Sequence, residues 1–125
     1  MYRKVILLCT TLLCMGVSAH EMTPTYPTWG VSHVEGVYKT RIALFNKRAD
    51  VEFYEIGVFD DTWGNVPFVS QYRIVHMPYL SHVNIDIYVS LADVSKAKYV
   101  CSISKLRENS DKKPLVSSRI CSKFK

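Results

Sequence analysis

The chain has 125 residues, 48% of them apolar and 22% charged, and a formal net charge of +5. This length suits one compact core and argues against a second domain. The excess positive charge lies towards the C-terminus but is spaced by Ser, Val and Ile. It reads as a solvated basic face, so nucleic acid is not expected as a partner.

The N-terminus has the three-part layout of a secretory signal peptide. Arg3 and Lys4 form a positive region, Val5 to Val17 is apolar and uncharged, and Val17-Ser18-Ala19 presents a cleavage site before His20. A membrane anchor would need about 20 apolar residues, which this run lacks. Cys9 and Cys14 follow Leu8 and Leu13, where a lipoprotein signal would want a small residue. Residues 1–19 are therefore expected to be removed, leaving 20–125 as a single exported, periplasmic or extracellular domain. No later stretch approaches membrane-spanning length. Two cysteines survive, Cys101 and Cys121, and an isolated pair in an oxidising compartment predicts one disulfide. Charge is split: 20–93 carries five Lys/Arg against nine Asp/Glu, whereas 94–125 carries nine against two.

Residues 20–36 are punctuated by Pro24, Pro27, Gly30 and Gly36, which predicts looped or extended backbone with at most one edge strand. Trp29 is expected to plug one end of the core. From Val37 to Asn46 the period becomes two, with Tyr38, Thr40, Ile42 and Leu44 on one face. Asn46 to Asp50 reads as a polar turn. Val51 to Asp60 follows, with Tyr54, Ile56 and Val58 on one face and Phe53 and Phe59 on the other. Asp60 to Asn65, containing Gly64-Asn65, reads as a hairpin-type connection. Val66 to Val69 and Gln71 to Met77 are two further strands, the second halted by Pro78. His82 to Ser90 alternates most cleanly, with Val83, Ile85, Ile87 and Val89 opposite His82, Asn84, Asp86 and Tyr88. Lys98 to Lys105 and Leu115 to Phe124 complete the set, separated by the polar stretch Arg107 to Lys113. No segment sustains apolar positions at i, i+3, i+4 and i+7. The expected fold is all-β, an antiparallel sandwich of six to eight short strands.

Asp93-Val94-Ser95-Lys96-Ala97-Lys98-Tyr99-Val100-Cys101 resembles the strand-F region of immunoglobulin-like domains. The resemblance implies an immunoglobulin-like sandwich with Tyr99 as a tyrosine corner, its hydroxyl bonded to upstream backbone. The expected mature chain has no strand-B cysteine, so a Cys101–Cys121 bridge would join the last two strands and not the two sheets. Exported bacterial domains of this kind include the N-terminal domains of periplasmic pilus chaperones, which the chain resembles weakly. It lacks a counterpart of the paired basic residues with which those chaperones hold a subunit's C-terminus. Several stretches also resemble small uncharacterised exported proteins encoded by marine bacteriophages. These are His20 to Pro24, Leu44 to Arg48, Tyr54 to Asp60 and Val116 to Lys123.

Cleavage after Ala19 would make His20 the first residue, offering an α-amine and an imidazole together. Nitrogen donors of this kind suit Cu(II). His33, His76 and His82 could supply a further imidazole; His82 lies on a polar strand face with Asp86, so His20, His82 and Asp86 form the candidate metal set. No nucleophile elbow, phosphate loop or zinc cysteine cluster is present, and an enzyme is not expected. Trp63, in its loop, and Tyr72 and Tyr88, beside polar neighbours, suit partner binding. An open sheet edge is another route that needs no special residues. The leading expectation is a non-enzymatic binding module whose partner is another protein of the cell envelope, in a chaperone-like or host-interaction role. The alternatives are a periplasmic copper-binding protein anchored on His20 and an envelope or virion structural component.

Overall fold

The computed structural model describes residues 20–105 and 117–125. The expected signal peptide, the polar stretch Arg107 to Lys113 and the start of the last expected strand lie outside them. The described residues form two antiparallel sheets packed face to face. In chain order the elements are β1 (Glu21–Thr23), β2 (Gly30–Val31), β3 (Val37–Phe45), β4 (Phe53–Phe59) and β5 (Val69–Ser70). Then come β6 (Ile74–His76), β7 (His82–Ser90), the one-turn helix α1 (Leu91–Val94), β8 (Tyr99–Lys105) and β9 (Arg119–Lys123).

The first sheet runs β1-β3-β7-β5, with β2 also on β3; the second runs β6-β4-β8-β9. The core lies between them. Period-two alternation places Ile42 and Leu44 of β3, Tyr54, Ile56 and Val58 of β4, and Ile85, Ile87 and Val89 of β7 inside. These are the faces the alternation predicts. Trp29 packs against the core from the lead-in, its ring stacked on Phe124 at 4.4 Å.

Among the described residues nine strands stand where six to eight were expected, and β2 and β5 are only two residues long. The lead-in contributes two strands, both against β3, with Pro24 and Pro27 between them unable to donate to a ladder. The strand expected over Val66 to Val69 shrinks to β5, because Pro67 interrupts it; Asn65 makes only an isolated bridge to Phe59. Helix α1 is a single turn, too short to leave a 3.6-residue pattern. Among the described residues, no helix is long and apolar enough to cross a membrane.

Cys101 and Cys121 are bonded, directly opposite each other on β8 and β9 with Cα atoms 4.1 Å apart. The bridge ties neighbouring strands of one sheet, as expected. Replacing both cysteines with alanine should remove about 3 kcal/mol, the chain-entropy cost of the open loop. Urea denaturation would measure it, and the wild type under reductant should fall to the same midpoint. Unchanged midpoints in both would contradict the assignment.

Candidate functional site

His20 is interior, 2% exposed, with its ring tilted against Tyr54 at 4.4 Å. Nε2 lies 2.6 Å from the Ser102 hydroxyl and 3.2 Å from its carbonyl, and Nδ1 lies 3.1 Å from the Ser118 hydroxyl. A tautomer protonated at Nε2 donates to Ser102 and accepts from Ser118. Burial, with the Arg48 cation adding to it and the Ser102 bond opposing, lowers the imidazole to about 4.

The other two members of the candidate metal set are elsewhere. His82 and Asp86 share the outer face of the first sheet. There Asp86 receives Arg41 Nε at 2.7 Å, with Lys39 and Gln71 also on its oxygens. The Arg41 hydrogen bond is the main cause of its carboxyl lying below the ordinary range. The structure thus does not bring His20, His82 and Asp86 together. Among the described residues no three His, Cys, Asp or Glu side chains form a metal-sized group. The reason is alternation: His82 and Asp86 point out of the sandwich, whereas His20 points in.

Around His20 lies a buried polar cluster that sequence reasoning missed. The segment Asn46 to Asp50, expected as a polar turn, folds inward at both Asn46 and Arg48. Asn46 is wholly buried, donating Nδ2–H to the carbonyls of Val51 (2.7 Å) and Met77 (2.8 Å). Its Oδ1 accepts from the Tyr54 hydroxyl (2.7 Å) and the Arg48 amide (2.9 Å). Desolvation pushes the Tyr54 hydroxyl up to about 12. Arg48 forms a two-pronged pair with Asp50 and also donates to Ser118 at 3.3 Å. A turn sequence carries no local sign that its polar side chains will be buried; only the strands closing over them decide it.

The candidate binding aromatics fall in three places. Trp63 lies over the outer face of the second sheet, Tyr72 lies between β5 and β6, and Tyr88 is on the outer face of the first sheet near Lys39. Trp63, 49% exposed, sits at φ +65, a conformation that disfavours side chains other than glycine. Asp60 holds it there: Oδ1 accepts from the amides of Gly64 (2.7 Å) and Thr62 (2.9 Å) and from the Thr62 hydroxyl. These bonds, Gly64 first, keep the Asp60 carboxyl below its ordinary range. Trp63 stacks on Tyr99 at 4.4 Å, and the Arg119 guanidinium lies 4.6 Å from Trp63 and 4.9 Å from Phe59. Phe59 in turn lies over Gly57, where a Cβ would come within 2.8 Å of its ring. Among the described residues, no hydrogen bond joins the Tyr99 hydroxyl to upstream backbone, the contact expected of a tyrosine corner. The inward residues of β8 are Val100, Ser102 and Ser104, so Tyr99 falls on the outer face, where its ring is the platform for Trp63.

Behind this aromatic cluster, β9 presents an edge. The Ser104 amide donates to the Ser118 carbonyl and the Phe124 amide to the Lys98 carbonyl, both at 2.9 Å. The even-numbered residues of 118–124 therefore face β8. The odd-numbered ones, Arg119, Cys121 and Lys123, turn their N–H and C=O groups the other way. The short Cys101–Cys121 Cα separation belongs to the same pattern, that of a non-hydrogen-bonded pair. Among the described residues, no strand pairs with that side. The lead-in runs beside β9 without pairing to it: β1 packs against the strand, His20 bonds to Ser118, and the Lys125 amide donates to the Pro27 carbonyl at 3.1 Å. Among the described residues, no carboxylate forms an ion pair with Arg119, Lys123 or Lys125.

No protein-family model and no curated protein matches the sequence. Solved structures do match in shape. The E. coli chaperone DraB superimposes with a TM-score of 0.62 at 13% identity, over 85% of this chain and 53% of that one. The periplasmic chaperone SfaE does so with a TM-score of 0.54 at 10% identity, over 85% and 56%. The chain spans about half the length of each chaperone. At this identity the likeness establishes the fold: an immunoglobulin-like antiparallel β-sandwich of the kind found in periplasmic chaperones.

Proposed function

We propose that this chain is a non-enzymatic, chaperone-like binding module of the cell envelope that holds an extended segment of another protein along the outer edge of β9. The observation that carries the reading is the row of outward backbone groups at Arg119, Cys121 and Lys123. Strand addition draws its affinity from such groups and its selectivity from the flanking side chains. The disulfide fixes β9 to β8, so the edge is held in extended form before a partner arrives, which reduces the ordering cost of binding. A bonded cysteine pair also suits an oxidising compartment. Arg119, Lys123 and Lys125 favour a segment carrying Asp or Glu.

Lys123→Pro is the selective test. The Lys123 amide faces away from β8, so proline there removes a bond to the partner while leaving the ladder to β8 in place. Binding to an acidic, strand-forming peptide, read by hydrogen exchange at Arg119 and Cys121, should weaken at least roughly tenfold. The urea midpoint should stay near wild type. Unaltered peptide binding in a folded Lys123→Pro protein, or protection that appears away from β9, would refute the proposal.

A further inference from the structure

The second sheet has another open edge, at β6, and its chemistry differs. The Ile56 amide donates to the Arg73 carbonyl at 2.8 Å and the Met77 amide to the Glu52 carbonyl at 2.7 Å. Arg73, Val75 and Met77 therefore face β4, while Ile74 and His76 turn their N–H and C=O groups outward. Among the described residues no strand lies beyond them. Unlike β9, this edge carries exposed apolar side chains: Ile74 is 56% exposed, and Tyr72, just before the strand, is exposed as well. Edge strands are normally blunted by charge or by a covering element, and an uncovered apolar edge invites pairing.

We infer that β6 pairs with the β6 strand of a second copy of this chain, antiparallel about a two-fold axis at Ile74, joining the two four-stranded sheets into one. Charge decides in favour of a second copy. In this pairing Ile74 meets Ile74 of the partner subunit, and His76 meets Tyr72 of the partner subunit, so no like charges are opposed. The nearby carboxylates already have partners within the chain, Glu52 with His76 at 3.4 Å and Glu55 with Lys105 at 2.8 Å. The same operation on β9 would set Arg119 against Lys123, a like-charge pair directly across a ladder, which is destabilising. One edge of the sheet is thus suited to self-association, and the other resists it.

So short an edge buries little surface, below about 1,200 Å², which places the dimer among weak assemblies. Its dissociation constant should lie at roughly tens of micromolar or above. Sedimentation velocity of the purified chain from about 10 μM to about 1 mM should show a reversible shift to dimer. Over the same range the amides of Ile74 and His76 should gain hydrogen-exchange protection, and those of Arg119 and Lys123 should not. Ile74→Lys changes an exposed side chain, so the fold should persist while the dissociation constant rises more than roughly tenfold. A monomer throughout, a dimer that survives Ile74→Lys, or protection at β9 in place of β6 would each overturn the inference. Ile74→Lys that abolishes capture of a different protein by a chain that never dimerises would overturn it too, by assigning the edge to another partner.

Discussion

Asn46→Ala is expected to destabilise the protein by roughly 3–5 kcal/mol, a large share of the 5–15 kcal/mol typical of a domain. The side chain is fully buried and satisfies four groups at once. Alanine would orphan the carbonyls of Val51 and Met77, the Arg48 amide and the Tyr54 hydroxyl. Each orphaned buried group costs about 1–3 kcal/mol, lessened where water or relaxation reaches it. Asn46 also anchors its own backbone, its amide donating to the Ser81 carbonyl at 2.9 Å and its carbonyl accepting from Leu80 at 2.8 Å. Those bonds survive the substitution, so the loss isolates the side chain. Tyr54→Phe deletes a single donor and should cost only about 1 kcal/mol. Urea denaturation of both variants tests the argument through their ratio. A cost for Asn46→Ala no larger than that of Tyr54→Phe would show that the network does not act as a unit.

The second large effect is a loss of stability in mild acid caused by His20. Its folded value, about 4, lies below the ordinary imidazole value of 6.5, so as pH falls the unfolded chain takes up the proton first. The stabilisation is complete above about pH 6.5 and is lost as the pH drops towards 4. The shift corresponds to about 3 kcal/mol, and partial screening by solvent brings this to roughly 2 kcal/mol. The groups around the ring explain why a charge is unwelcome. Ser102 and Tyr54 flank it, Ser118 already accepts from Arg48, and the Arg48 cation itself stands close by. Asp50, Asp60 and Asp86, all lowered from 3.8, withdraw their contributions only as pH falls below that value. The window between 6.5 and 4 therefore belongs to His20. Stability measured at pH 7, 5.5 and 4.5 should decline in the wild type and stay nearly level in His20→Gln. Equal slopes in the two proteins would remove His20 as the cause.

Elements that rest on local regularity were legible before any fold was known. Alternation in Val37 to Asn46, Val51 to Asp60 and His82 to Ser90 named the inward faces of β3, β4 and β7, because side chains on a strand alternate whatever strand lies beside it. The two cysteines left after His20 in the described chain are joined, as their number implied. Trp63 was legible as a loop aromatic, but its stacking on Tyr99 and Arg119 was not.

Tertiary structure alone decided the rest. His20 was a candidate metal ligand by position in the chain; it became an interior residue because Ser102 and Ser118, 82 and 98 positions away, close around it. Asn46 and Arg48 look like turn residues until β4 and the segment before β7 cover them. The edges of β6 and β9 exist only as consequences of strand order, since which backbone groups stay unpaired depends on which strand stands last. Periodicity acts over neighbouring residues and is written in the sequence; pairing acts across the whole chain and is settled only when the two sheets meet.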